Sequence, residues 1–257
     1  TVDTFAGSGS AAFLDGTGTA ASIASPTRIA ITASALYVSD SEGRIRRIDL
    51  TTRAVTTFAG SPIPSGRNGI NDGTGTAATF DNLNGGYAAN PDGSLVVSDR
   101  RQLRTVSAAG VVRTLGFMSS ASGNTSTPPD GPLTDQAEFL LANNLGTAVI
   151  GDANGNAWVG DGYRSIRRVT AGGAVSELAG LAGGECCLDG AGTLAQFGRI
   201  FSMARDAAGN LLVGDTFAVR RVSTGGVTSF VAGNYGSFGA VDGLGSAARF
   251  NNPNGIA

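Results

Sequence analysis

Four aspartates each close a short apolar run, and each is followed five or six residues later by an arginine: Asp40 with Arg46, Asp99 with Arg104, Asp161 with Arg167, and Asp215 with Arg220. A carboxylate and a guanidinium placed this way can form a forked, charge-assisted pair. If the runs are strands, alternation puts Arg46 on the face of Ile48, so its head group is partly buried and needs a carboxylate or a carbonyl. The pairs read as structural ion pairs that fix register, because an active site seldom returns in every repeat of a chain.

Other chemistry is narrowed by what is missing. All 18 basic residues are arginine, and there is no histidine. The commonest general base, the commonest neutral metal ligand and the Schiff-base amine are therefore absent together. Asp152, Asn154 and Asn156 have the one-three-five spacing of a calcium loop. They lack its glycine at six and its acid at twelve, and they align with a Pro-Asp-Gly turn one repeat earlier, so a hairpin turn is expected. No catalytic residue, metal or cofactor is expected. Arg44, Arg47, Arg100, Arg101, Arg164, Arg168 and Arg221 could add a basic rim. Yet the 20 acidic residues outnumber the basic ones and no aromatics interleave to stack bases, so no nucleic-acid partner is expected.

Cys186 and Cys187 are adjacent, just before an Asp-Gly loop. Two neighbouring thiols without histidine do not make a zinc site. A disulfide between them leads the alternatives, ahead of bonds to cysteines elsewhere and of a reduced pair. The segment from Ser119 to Pro129 is rich in Ser, Thr and Pro and carries Asn124-Thr125-Ser126, a sequon that makes Asn124 a glycosylation candidate. Sugar and disulfide together point to an extracellular or cell-surface location.

The elements that must hold these residues follow from repetition. Asp-Gly returns at Asp15, Asp72, Asp130, Asp189 and Asp242, at intervals of 53 to 59 residues, in most copies with Ala six and Phe or Ile eight residues on. Such a period signals a repeat architecture. Within each repeat come four short β-rich runs, as in PTRIAI, ALYVSD, GRIRRID and AVTTFAG of the first, separated in later repeats by turns such as PDG, ANG, AAG, AGG and TGG. These read as antiparallel hairpins. The second run of each repeat is apolar on both faces, which suits a covered sheet. The fold class expected is all-β, a β-propeller of four-stranded antiparallel blades. The Asp-Gly loops are its blade joints, with Gly for positive φ, Asp for local backbone N–H groups, and Ala and Phe plugging the gap.

The combined pattern DGxGxxAxF, PxGIA, LxVxD, IRRV and VxTxAG resembles the NHL-repeat propeller family over nearly the whole chain. That resemblance implies one propeller over 1–257, with four complete blades and a partial composite one. The ring would have five or six blades, and the composite one would take an outer strand from Thr1 to Gly7 and an inner strand from Phe250 to Ala257. Ends lying inside repeats read as a window on a longer protein.

Function is expected to be non-catalytic: a rigid structural or protein-interaction module of a larger extracellular or filament protein, of the kind seen in algal or protist cell-surface or mastigoneme-type proteins. Its partners would be other domains or subunits of such an assembly, with glycans in addition. No apolar run approaches the ~20 residues that span a bilayer, so no membrane insertion is expected. Two alternatives stand beside this reading. One is a sugar- or peptide-binding propeller, with aromatics such as Tyr163, Phe217, Tyr235 and Phe238. The other is a propeller lyase or hydrolase that works without histidine ligands.

Overall fold

The computed structural model describes residues 2–61, 70–99, 102–119, 131–132, 139–140, 148–160, 164–181 and 186–256. The fold class is the expected one: all-β, with four antiparallel sheets as blades of a β-propeller. The chain clusters into two compact units, Thr1–Leu115 with Gly151–Gly155, and Gly116–Ile150 with Asn156–Ala257.

In the first unit, Pro26–Ile31, Ala35–Asp40, Ile45–Asp49 and Ala54–Ala59 form one meander. Tyr87–Ala89, Leu95–Asp99, Gln102–Val106 and Val111–Ser119 form the next, its last strand running on into the second unit. The core lies between these sheets: Ala35, Tyr37 and Ile45 of one meet Leu95, Val97 and Val106 of the other, with Phe80 of the joint among them. Successive side chains of a strand face opposite ways, so Leu36 and Val38 turn to the other side of the first sheet. There they meet Ile48 and Val55.

The second unit repeats the plan. Ser165–Val169 pairs with Ala157–Gly160 and Ala174–Gly180, and Ala148–Gly151 completes the sheet order. Ile200–Arg205, Leu211–Asp215, Ala218–Val222 and Val227–Gly233 form the last meander. Phe197 sits with Ile166, Leu211 and Val213 in its core, against Trp158.

Three of the described joints are a two-residue strand followed by a short 3-10 turn, and the last keeps the turn, Gly245–Ala247, without the strand. Gly16–Thr17 pairs with the outer strand at Val55 and Ala54, and Gly190–Ala191 does the same at Thr228 and Val227. Two glycines have separate duties. Gly75 has φ +57° with open space around it, whereas Gly73 has ordinary φ, but a Cβ there would lie 2.9 Å from the Ala77 backbone. The Ala six residues after the Asp is buried in every described joint, as Ala21, Ala78, Ala195 and Ala248.

The end segments differ from the expectation. Residues 2–7 and 250–256 contain no strand. A strand exists through its ladder, and among the described residues neither segment makes one. Each nevertheless keeps contacts of the repeat: Gly7 N–H donates to Gly18 O at 3.0 Å, as Gly60 N–H does to Gly75 O at 3.1 Å, and Asn252 N–H donates to Thr216 O at 2.8 Å.

Candidate functional site

The charged residues come together at the joints. Arg104 is fully buried. Its Nη1 donates to Thr79 O at 2.6 Å and Asp99 Oδ2 at 2.9 Å, and its Nη2 to Asn71 O at 2.7 Å and Asp72 Oδ1 at 2.9 Å. The Phe80 ring lies beneath, its centroid 4.6 Å from the guanidinium carbon. Asp99 Oδ1 accepts the Asp81 and Asn82 amides, each at 2.8 Å. Asp72 accepts Thr114 N–H at 2.9 Å and its hydroxyl at 3.0 Å.

The same cage is built in the second unit. Arg220 donates to Gln196 O and Leu188 O, both at 2.6 Å, and to Asp189 Oδ1 at 2.5 Å, and it stands 3.6 Å from Asp215 Oδ2. Asp189 also accepts Phe230 N–H at 2.8 Å. Tyr235 donates its hydroxyl to Asp215 Oδ2 at 3.1 Å.

Two of the sequence-predicted pairs are therefore in contact, Asp99 with Arg104 and Asp215 with Arg220. Asp40 and Arg46 make no ion pair. Arg46 donates instead to Asp15 Oδ1 at 2.5 Å and Ser22 O at 3.0 Å, while Asp40 Oδ1 caps the turn behind it through the Glu42 and Arg44 amides. That turn claims the carboxylate locally, and Asp40 Oδ2 is left buried without a partner. Arg167 is buried like the other three arginines. Asp161 and Asp130 lie outside the described residues, as do Asn124, Arg100, Arg101 and Tyr163.

The joint aspartates, expected to serve local backbone N–H groups, bond groups far along the chain. Asp15, Asp72 and Asp189 each bond the buried arginine 31 or 32 residues on. Each also takes an outer-strand amide 41 or 42 residues on. This constant spacing was the signal available in the sequence. Asp242 lies in the exposed loop of the last joint, where Val241 and Arg249 pair as a bridge.

Burial sets the electrostatics. It raises Asp99 and Asp215 above the usual carboxylate range, with their arginines opposing it, and raises Asp40 likewise. Burial also acts on half-exposed Asp72, but the Thr114 amide and Arg104 outweigh it and hold that group below its usual value. Tyr235 is pushed up by burial and by Asp215 beside it. A carboxylate whose lone pairs already face amides and a guanidinium is poorly placed to take a proton from a substrate. These cages order backbone from three segments around one cation.

The remaining candidates fall on turns and surfaces. Asp152 Oδ1 accepts Asn154 N–H at 2.9 Å in the hairpin turn, and among the described residues no three His, Cys, Asp or Glu side chains cluster as metal ligands. On the rim, Arg44, Arg47 and Arg221 stand 3.3 to 3.6 Å from Glu42, Asp49 and Asp206. Phe217 stacks on Phe238 at 5.8 Å. Cys186 and Cys187 form a disulfide-like pair.

The first sheet also bears an apolar groove of about 820 Å³, lined by Phe5, Ile23, Pro26, Leu36, Val38 and Ile48 among others. Ile29 and Ile31, on its edge strand, are 63% and 64% exposed. In the neighbouring sheet the corresponding residues, Leu95 and Val97, are covered by Ala35 and Tyr37.

No protein-family model and no curated protein matches the chain. Solved structures do. A protein of unknown function from Bacteroides thetaiotaomicron VPI-5482 is 19% identical, with the match covering 98% of this chain and 68% of that one at a TM-score of 0.52. An auxiliary nutrient binding protein from the same organism is 16% identical, covering 98% and 70% at a TM-score of 0.52. At such identities the likeness shows the fold alone, a β-propeller.

Proposed function

We propose that this chain is a non-catalytic, NHL-type propeller module of an extracellular or cell-surface protein, and that it works by docking a protein partner on the open face of its first sheet. The observation that carries the reading is that face: Leu36, Val38 and Ile48 line a groove. One sheet further on, the corresponding positions are sealed by a covering sheet. Apolar area of this kind gains roughly 25 cal/mol per Å² removed from water, against which association sets the cost of ordering the partners. The matching occupant is a β-sheet of another domain, presenting a small-and-aromatic face like that of Ala35 and Tyr37. The described cages support the non-catalytic part, since their acids are held by guanidinium and amide groups.

A photo-crosslinking residue at Ile29, with a second at exposed Leu244 as control, tests the reading in extracellular material from the native source. The expected result is a single cross-linked β-rich domain, mapped to residues 23–48, from the Ile29 probe alone. A cross-linked second copy of this chain, a sugar or peptide that protects Ile29 from labelling, or turnover on a lactone and lyase panel would overturn it.

A further inference from the structure

We propose that Cys186 and Cys187 form a thiol–disulfide exchange site that controls the order of the joint leading into the last sheet. Cys186 is exposed and Cys187 half-buried, so a small thiol can reach the first sulfur. Cys187 has φ +96°, in the left-handed region, and the residues at the same place in the other described joints, Phe13, Ile70 and Ala240, are not in that region. An L side chain there crowds its own carbonyl, and the ring closed by two adjacent cysteines holds it in place.

The consequence lies in the hydrogen bonds. In the other described joints the carbonyl at the Gln196 position takes at most one amide of this bridge: Leu14 N–H donates to Ser22 O at 3.2 Å and Val241 N–H to Arg249 O at 3.3 Å, whereas Asn71 N–H donates to the Thr79 hydroxyl at 2.9 Å. Here Cys187 N–H and Leu188 N–H both donate to Gln196 O, at 3.0 and 3.1 Å. Gln196 O and Leu188 O are also the two carbonyls that hold buried Arg220. The cysteine pair therefore adjoins the cage and shares an acceptor with its cation.

The chemistry needs a dithiol reductant. Its thiolate attacks exposed Cys186 Sγ, the sulfur–sulfur bond breaks, and its electron pair leaves on Cys187 Sγ, which takes a proton from water. The reductant's second thiolate then attacks its own first sulfur. It closes to a cyclic disulfide and releases Cys186, which is protonated in turn. Two electrons and two protons pass to the protein, and two thiols remain. With the ring open, Cys187 relaxes to negative φ and its N–H turns away from Gln196 O.

The test treats folded protein with dithiothreitol, titrates thiols without denaturant, and follows amide hydrogen exchange. Two thiols should appear in the folded chain, and the Cys187, Leu188 and Gln196 amides should exchange about tenfold faster while Leu14 is unchanged. The variant with both Cys186→Ser and Cys187→Ser should show the faster exchange and ignore dithiothreitol. Should it fail to fold, Cys186→Ser alone, which cannot close the ring, gives the same reading. Thiols that appear only on unfolding, thiols that appear with exchange unaltered, or a Cys186→Ser variant as protected as the oxidised protein would each overturn the proposal.

Discussion

Replacing Arg104 with Met keeps most of the side-chain volume and removes only the cation, which makes it a sharp probe of the cages. The change strands Asp99, whose side chain is fully buried and 2.9 Å from the guanidinium. Removing one partner of a buried pair costs about 3–5 kcal/mol, because the other charge is left without compensation. Asp72 adds little: its side chain is 48% exposed and water can replace the arginine. Arg46→Met in the same compact unit is the internal control. Among the described residues its ion-pair partner is Asp15, 52% exposed, and the buried group that loses a donor is Ser22 O. The expected cost there is about 1–2 kcal/mol. Urea unfolding followed by circular dichroism, with amide exchange across residues 95–106, should thus show Arg104→Met as the worse change by about 2 kcal/mol. Adding Asp99→Asn to Arg104→Met should recover much of the loss, because a neutral amide costs less to bury than an unpaired carboxylate. Equal costs for the two arginines, or no recovery in the double variant, would refute the reasoning.

Acidification should separate the two kinds of aspartate. Asp72 sits below its usual value, so its stabilisation is present above the unfolded carboxylate pKa and is lost as pH falls through the depressed one. Asp72→Asn should flatten that acid limb in urea midpoints taken from about pH 2 to 7. Asp215 is raised by burial, so its contribution is present in acid and lost as pH rises through the raised value; Asp215→Asn should remove that opposite slope, read in the same way. At the second joint, Gly75→Ala meets open space and should cost only about 1 kcal/mol for its left-handed φ. Gly73→Ala forces a Cβ to within 2.9 Å of Ala77 backbone and should cost more, up to about 3 kcal/mol in a thermal melt. Glycopeptide and intact-mass analysis of native protein should find sugar at Asn124 or on nearby Ser, Thr or modified Pro between Ser119 and Pro129. An unmodified segment together with two free thiols would remove the support for an extracellular setting.

Much of the local structure was legible in the residues. Pro26–Ile31 and Ala35–Asp40 form strands with the bounds read from their sequence, because two short β-rich runs on either side of a tight turn pair as a hairpin. The joints were legible too: Ala78 and Phe80 are buried where spacing put them. In Phe250 to Ala257 the pattern suggested a strand that did not form, since pattern records a tendency to pair and only a neighbour completes the ladder.

The sequence by itself determined the period, the blade type, the burial of an arginine in each repeat and the absence of histidine and lysine chemistry. Tertiary structure decided which acid each arginine would meet. The five-residue spacing of Asp99 and Arg104 survives as a contact, while the six-residue spacing of Asp40 and Arg46 does not: Asp40 Oδ1 caps the turn through the Glu42 and Arg44 amides, and Arg46 goes to Asp15. The joint aspartates reach the guanidinium from 31 or 32 residues away, once the sheet has folded back on the loop that precedes it. Local spacing sets which groups can meet along a strand. The competition among distant acceptors for one buried cation is settled only when the segments are packed together.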